Sequence, residues 1–361
     1  MSVVPTGGTL GILGGGQLGR MLAMAAARLG IDVHIYAPEE NSPAARVSAA
    51  FTCAAYDDRT ALRAFAQSVD AVTTEFENVP SETCDILAEH IPVRPHARAL
   101  EIAQDRVAEK SFLNEQGIGT APWRAVTTPP DLANAISAIG LPAILKTRRL
   151  GYDGKGQARI MAEGEADAAL ADMNAAPAIL EGFVAFEREI SVIVARGVDG
   201  AIVCYDPGEN VHEEGILRRT TIPASITDDT REKAFGIARK IVRSLDYVGV
   251  MGVEMFVQPD GEILVNEVAP RVHNTGHWTL EGCAISQFEQ HVRAVCGWPL
   301  GSTERHSDAV MTNLLGDEAD DWSSLAAATQ AVHLYGKGAS RPGRKMGHVT
   351  TLSPKTEARG L

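Results

Sequence analysis

The most constraining stretch of the chain runs from Gly252 to Glu267. Two short β-prone segments, 253–257 and 263–266, flank Pro259-Asp260-Gly261 there. Apolar, partly β-branched segments on either side of such a turn predict a β-hairpin. With Asp260-Gly261 at the centre of a two-residue or four-residue loop, Glu254 and Glu267 face each other on one side of the sheet. A three-residue loop would slip the register by one and spoil that pairing. Like charges directly opposite are destabilising, and a hard divalent cation offsets them, since Mg²⁺ takes carboxylate oxygens together with substrate phosphates. The alternative is an amphipathic hairpin whose two glutamates are solvated. The next run, Val268-Ala269-Pro270-Arg271-Val272-His273-Asn274-Thr275-Gly276-His277, sets Arg, His, Asn and Gly beside the carboxylates. No apolar periodicity accounts for it.

A chain of 361 residues is too long for one core, so two or three domains are expected. No apolar run approaches the ~20 residues of a membrane span. Residues Met1 to Thr6 lack a basic segment and lead into a strand, so no signal peptide is expected. The five cysteines, Cys53, Cys84, Cys204, Cys283 and Cys296, suit neither a disulfide framework nor a zinc site. That points to a reducing, cytoplasmic setting. A net charge of −13 argues against nucleic acid as a partner and makes the basic cluster at 337–345 stand out.

The chain opens with a buried strand at 9–13, a glycine turn Gly14-Gly15-Gly16-Gln17-Leu18-Gly19, a helix from Arg20 to Leu29 and a second strand from Asp32 to Tyr36. This β-turn-α-β start is Rossmann-like. Strands at Ala71–Thr74 and Ile91–Val93, with helices at Thr60–Ser68 and Ser81–Glu89, complete a small α/β domain with a parallel sheet over residues 1–100. The glycine turn matches the dinucleotide fingerprint, but the acidic residue expected after the second strand is missing: Tyr36-Ala37-Pro38 stands there. The turn is read as a phosphoryl or sugar site at a helix N-terminus, with NAD binding and plain packing as the alternatives. Glu75-Phe76-Glu77-Asn78 follows a strand end, where open α/β sheets contact ligands.

Residues 98–117 read as one helix. A strand Ala143–Lys146 then leads into Thr147-Arg148-Arg149-Leu150-Gly151-Tyr152-Asp153-Gly154-Lys155-Gly156-Gln157, a glycine-rich, electropositive loop suited to folding over phosphates. An ordinary hairpin turn is the alternative. A helix at 163–174, a strand at Ala178–Val184 and strands at Glu189–Val194 and Ala201–Tyr205 follow, with Asn210-Val211-His212 in a loop. A helix at 228–245 precedes the carboxylate hairpin, another lies near 285–296, and the last sixty residues alternate short strands and turns. The basic turn Lys337 to Lys345 suggests an anion site.

Together these stretches resemble the ATP-grasp superfamily. More narrowly, the chain is similar to the 5-(carboxyamino)imidazole ribonucleotide synthase family, from Gly11 to Val349. The resemblance implies an α/β and α+β chain with an ATP-grasp fold. A Rossmann-like pre-ATP-grasp domain would occupy 1–100, an ATP-grasp domain 101–297 with a lid at about 120–185, and a small C-terminal β-rich domain 298–361. It implies a ligase that carboxylates the exocyclic amine of 5-aminoimidazole ribonucleotide with bicarbonate, splitting ATP to ADP and phosphate through carboxyphosphate. Glu254 and Glu267, with Asn266, would hold Mg²⁺. Arg106 and Lys146 would touch ATP phosphates, covered by Gly151, Tyr152, Asp153, Gly154, Lys155, Gly156 and Gln157. Glu181, Gly182, Phe183 and Val184 would line the adenine pocket, Glu189 would take the ribose hydroxyls, and His212 would lie near the nucleotide. Gln17, Leu18, Glu75, Asn274, Lys337, Arg344 and Lys345 would meet the ribonucleotide. Tyr152, Asp153, Lys155, Arg271 and His273 would surround bicarbonate and the amine, with Asp153 or His273 taking the amine proton. A homodimer is also implied. A formate-dependent glycinamide ribonucleotide transformylase, an NAD-dependent oxidoreductase and a non-catalytic nucleotide sensor are the competing readings.

Overall fold

The computed structural model describes residues 3–151, 156–174, 176–327 and 329–356. Its architecture is three sheets with helices packed between and around them. The first is a four-stranded parallel sheet, ordered Ala50–Cys53, Asp32–Ala37, Thr9–Leu13, Ala71–Thr74. Leu10, Ile12, Val33 and Ile35 alternate toward the helix Gln17–Arg28, as strands with period two require. The helix begins at Gln17, directly on the glycine turn, rather than at Arg20. Two strand assignments differ from expectation. Ala50–Cys53, a short edge strand without a clear pattern, joins the sheet. Ile91–Val93 contributes only an isolated bridge, Val72 to Val93.

The expected helix at 98–117 is two helices, Ala97–Gln104 and Arg106–Glu115. Asp105 breaks it by adopting an extended conformation and capping the second helix, its carboxylate accepting from the N–H groups of Val107 and Ala108. The break sets Arg106 at the start of a helix.

A small antiparallel sheet, ordered Trp123–Val126, Ala178–Gly182, Ala143–Thr147, Gln157–Ile160, packs on the helix Pro129–Ile139 and has its own core of Leu132, Ile136, Leu145 and Leu180. In place of a helix at 163–174 stand a 3₁₀ turn, Glu163–Glu165, and a shorter helix, Ala166–Asp172.

The central sheet has nine strands, and Arg188–Arg196 runs through its middle. Both faces of that strand are buried: Ile190, Val192 and Val194 pack toward the helix Asp228–Ser244, Ile193 and Ala195 toward the helix Gln287–Cys296. Strands Ser307–Leu315, Lys345–Pro354 and Ala331–Leu334 close no sheet of their own. They extend the central one through Ile216–Ile222. Asn210-Val211-His212 is not loop but part of the strand Gly208–Glu213, paired on both sides. No helix among the described residues is long and apolar enough to cross a membrane.

Candidate active site

Glu254 and Glu267 are direct cross-strand partners, reached by a different route from the one expected. Next to the turn, Val257 pairs with Ile263, Phe256 with Leu264 and Met255 with Val265. That register belongs to an odd-numbered loop, with Gly261 at φ +81°. The register shifts at Asn266, an extra residue that restores the facing of Glu254 and Glu267. The bulge also turns the Asn266 carbonyl to the Lys110 ammonium at 3.2 Å.

Strand register then brings further polar groups to the same face. Glu254 pairs with Ser191, so Glu189, two residues before Ser191, shares its side of the sheet. Asn210 pairs with Glu189, and His212 lies two residues on. A ligand atom from each of Glu189, His212 and Glu254 lies within 4.8 Å of the others. His212 Nδ1 is 3.3 Å from Glu189, and His273 Nε2 is 3.5 Å from Glu254. Burial raises the Glu254 carboxyl well above the usual range, and the charges of Glu267 and Glu189 raise it further. Burial and Glu267 push Glu189 up to about 7. Three carboxylates so placed repel one another, and a hard cation relieves that repulsion.

Cations ring this acidic centre. Arg106 Nη1 lies 3.3 Å from Glu267, whose side chain keeps 38% of its surface exposed. Lys146 Nζ sits 2.9 Å and Lys110 Nζ 3.5 Å from the two oxygens of Glu181. Burial alone would raise Glu181, but Lys146 and Lys110 outweigh it and hold the carboxyl at about 2. The Glu181 side chain is therefore a counter-ion beneath the site. The N–H groups of Gly182 and Phe183 already donate to Pro122 and Pro142 carbonyls, so they too are engaged before any adenine arrives. Val184 follows in the same segment, and Phe186 beyond it stacks on Phe256 at 4.5 Å.

Sequence reasoning missed Lys110 and Glu109. Lys110 is fully buried, and Glu109 accepts from the Val268 N–H at 2.6 Å, its carboxyl pushed up to about 7 chiefly by burial. Glu109 is three and four positions from Phe112 and Leu113, and Lys110 is three from Leu113, which puts both at the apolar face of their helix. That spacing was the available signal.

A narrow cleft of about 60 Å³ opens beside the carboxylates, lined by Glu77, Arg106, Arg148, Gly151, Glu267 and Arg271 among others. Arg271 grips Glu77 through Nε and Nη2, the latter at 3.1 Å. Burial opposes ionisation of Glu77, yet Arg271 holds its carboxyl at about 2. His273 packs directly over Gly252, where a Cβ would come within 2.6 Å of its own. Burial, then Arg271, push its imidazole down to about 3, and Thr275 Oγ1 contacts Nδ1 at 2.8 Å. Both side-chain polar atoms of Asn274 are buried without a hydrogen-bond partner among the described residues. Tyr152, Asp153, Gly154 and Lys155 lie outside the described residues. At the flanks of their loop, Arg148 pairs with Asp105 at 2.8 Å, Thr147 N–H donates to the Gly156 carbonyl, and Gln157 pairs with Lys146.

The glycine turn is a correction. Its anion is the protein's own Glu75 carboxylate, which accepts from the N–H groups of Gly16 and Gly19. Cβ atoms at Gly14 and Gly16 would collide with Glu75 at 2.3 and 2.5 Å. A dinucleotide pyrophosphate, or any phosphoryl group at those donors, would have to displace Glu75. Gln17 and buried Leu18 form the first turn of the helix beside it. The basic turn divides. Lys337 donates to the Lys345 carbonyl at 2.7 Å and its charge acts on Glu75, whereas the charge of Lys345 acts on Glu254 and His273. Arg344 is exposed, 3.4 Å from the Ala339 carbonyl.

The parallel sheet, the small antiparallel sheet, the central antiparallel sheet and the facing carboxylates of the hairpin define an ATP-grasp enzyme. The family model of the ATP-grasp domain matches residues 111–288, that of the ribonucleotide synthetase preATP-grasp domain residues 8–104, and that of the phosphoribosylaminoimidazole carboxylase C-terminal domain residues 309–359. The chain belongs to the N5-carboxyaminoimidazole ribonucleotide synthase family. It is 56% identical to the Brucella melitensis N5-carboxyaminoimidazole ribonucleotide synthase, covering 97% of this chain and 98% of that one. A Staphylococcus aureus N5-carboxyaminoimidazole synthetase complexed with ADP superposes with TM-score 0.94 at 36% identity, over 98% of this chain and 95% of that one. The Aspergillus clavatus synthase in complex with ADP and 5-aminoimidazole ribonucleotide superposes with TM-score 0.91 at 35% identity, over 97% and 94%.

Proposed function

We propose that this chain carboxylates the exocyclic amine of 5-aminoimidazole ribonucleotide with bicarbonate, coupled to cleavage of ATP to ADP and phosphate. It is an ATP-dependent ligase of purine biosynthesis. The observation that carries the residue-level reading is the convergence of Glu254, Glu267 and Glu189 beside a cleft of arginines. The donor set of hard carboxylate oxygens, with mutual repulsion raising Glu254 and Glu189, fits Mg²⁺. Glu254 and Glu267 would hold it, Asn266 beside them. When bound, the ion neutralises charge on the transferring phosphoryl group.

Phosphoryl transfer needs positioning and neutralisation more than covalent help. Arg106, at the start of its helix, and Lys146, steadied by Glu181, supply positive charge for the phosphates. Bicarbonate oxygen attacks the γ-phosphate, giving carboxyphosphate and ADP. Carboxyphosphate is labile in water, which gives the loop 151–157 a reason to close over it. Arg271, held rigid by Glu77, faces the same cleft and suits an anionic carboxyl group. The amine then attacks the carboxyl carbon, the C–O bond to the phosphate breaks with its electron pair leaving on inorganic phosphate, and the amine nitrogen loses a proton. Neutral His273 is a hydrogen-bonding group there, and Asp153 or His273 takes the amine proton. Asn274, its amide buried and unpartnered, is suited to the ribonucleotide, as are Gln17, Leu18 and the cations Lys337, Arg344 and Lys345. Glu189 and His212 border the nucleotide. We place the enzyme in the cytoplasm, as a homodimer, and the three domains near 1–100, 101–297 and 298–361.

The test is ADP production with and without 5-aminoimidazole ribonucleotide and bicarbonate. Stimulation requiring both supports the reading. Stimulation by glycinamide ribonucleotide with formate instead would assign the chain to a different ligation. ADP release indifferent to all four would reject it.

A further inference from the structure

We propose that Glu281, His333 and His348 form a binding site for one divalent transition-metal ion of the zinc type, clasping the C-terminal strands to the body of the protein. The site shares no residue with the carboxylate centre. His333 and His348 are direct cross-strand partners on Ala331–Leu334 and Lys345–Pro354, their rings stacked at 4.6 Å. Glu281, from the short helix Thr279–Gly282, reaches His333 Nε2 at 2.7 Å. One ligand atom from each of the three residues lies within 4.8 Å of the others. Ligands of a tetrahedral zinc, each about 2.0–2.1 Å from the ion, stand roughly 3.3 Å apart, so small side-chain shifts assemble the site.

A second observation is independent of that proximity. His348 Nε2 and Glu281 Oε2 are buried with no hydrogen-bond partner among the described residues. Buried polar atoms are otherwise nearly always paired, and these two belong to the same cluster. The Glu281–His333 contact leaves both unaccounted for. On its other ring nitrogen, His348 Nδ1 is 2.9 Å from the Tyr335 hydroxyl. With Nδ1–H donating to Tyr335, the Nε2 lone pair is left for a ligand, the arrangement that orients metal-bound imidazoles. Two imidazoles and one carboxylate suit zinc, whereas magnesium demands oxygen. Three protein ligands leave a fourth position for water. The ion would tie Glu281, just beyond the Arg-Val-His-Asn run, to the last two strands of the central sheet.

The experiment uses the full chain, stripped with a chelator and incubated with Zn²⁺ or Co²⁺ under excess Mg²⁺. One equivalent retained after gel filtration, with the visible absorption of low-symmetry Co²⁺, is expected. His333→Gln and Glu281→Gln, both at partly exposed positions, lose that equivalent, while Glu254→Gln keeps it. Tyr335→Phe, which removes only the hydroxyl on Nδ1, weakens binding by about 10- to 100-fold. No metal retained by the natural chain, retention undiminished in both His333→Gln and Glu281→Gln, or loss in Glu254→Gln alone overturns the proposal.

Discussion

Replacing Glu189 with Gln should stabilise the ligand-free protein at alkaline pH while weakening its hold on ATP. Burial and Glu267 push the Glu189 carboxyl up to about 7, against an ordinary 4.5. A group whose folded pKa is raised binds its proton more tightly in the folded state, so its ionisation costs stability. That cost is absent below about pH 4.5, grows between 4.5 and 7, and is complete above 7. Two to three pH units correspond to roughly 3 kcal/mol, from which the desolvated Gln amide and the lost His212 contact subtract. A net gain of about 1–3 kcal/mol at pH 8 remains. Thermal unfolding at pH 8 and pH 5 is the assay: Glu189→Gln melts several degrees higher at pH 8 and nearly level with the natural chain at pH 5. Mg²⁺ with ATP then raises the natural chain's midpoint more than the variant's. A variant destabilised equally at both pH values would refute the idea that the acidic centre is strained until a cation enters.

Three other outcomes are expected. Arg271→Met strands Glu77 in the cleft and costs about 3–5 kcal/mol of stability, read by denaturant unfolding; Arg271→Met with Glu77→Gln recovers much of it. Arg344→Ala raises KM for the ribonucleotide far more than for ATP in steady-state kinetics, whereas equal effects would mean that the basic turn is misassigned. Glu75→Ala leaves the N–H groups of Gly16 and Gly19 without their acceptor and costs about 2–4 kcal/mol of stability, whereas an unchanged melting midpoint would show that the turn does not depend on it.

The hairpin shows what the sequence could and could not carry. The hairpin itself was legible from side-chain alternation and the Pro-Asp-Gly turn, but its odd-numbered register beside the turn was not the one expected, and the facing of Glu254 and Glu267 comes from the bulge at Asn266. That bulge was not legible, since a one-residue insertion leaves no compositional trace. The glycine turn was legible as a close backbone approach, but what approaches is Glu75, some sixty positions away, and local spacing cannot reveal a partner that distant. Asp105 looked like one more polar position in a helix, although its capping bonds to Val107 and Ala108 divide that helix in two. His212 reads as loop beside two charged residues, yet it lies in a strand, paired with Leu217 and two residues beyond the Asn210–Glu189 pair, which brings it near Glu189.

The central claim is most directly tested by single-turnover ADP formation in Glu267→Gln, measured with Mg²⁺, ATP, bicarbonate and 5-aminoimidazole ribonucleotide, alongside circular dichroism. A folded variant that makes no ADP in the time the natural chain completes its turnover is the predicted result. A folded variant that forms ADP at the natural rate would contradict the assignment of Glu254 and Glu267 to the metal.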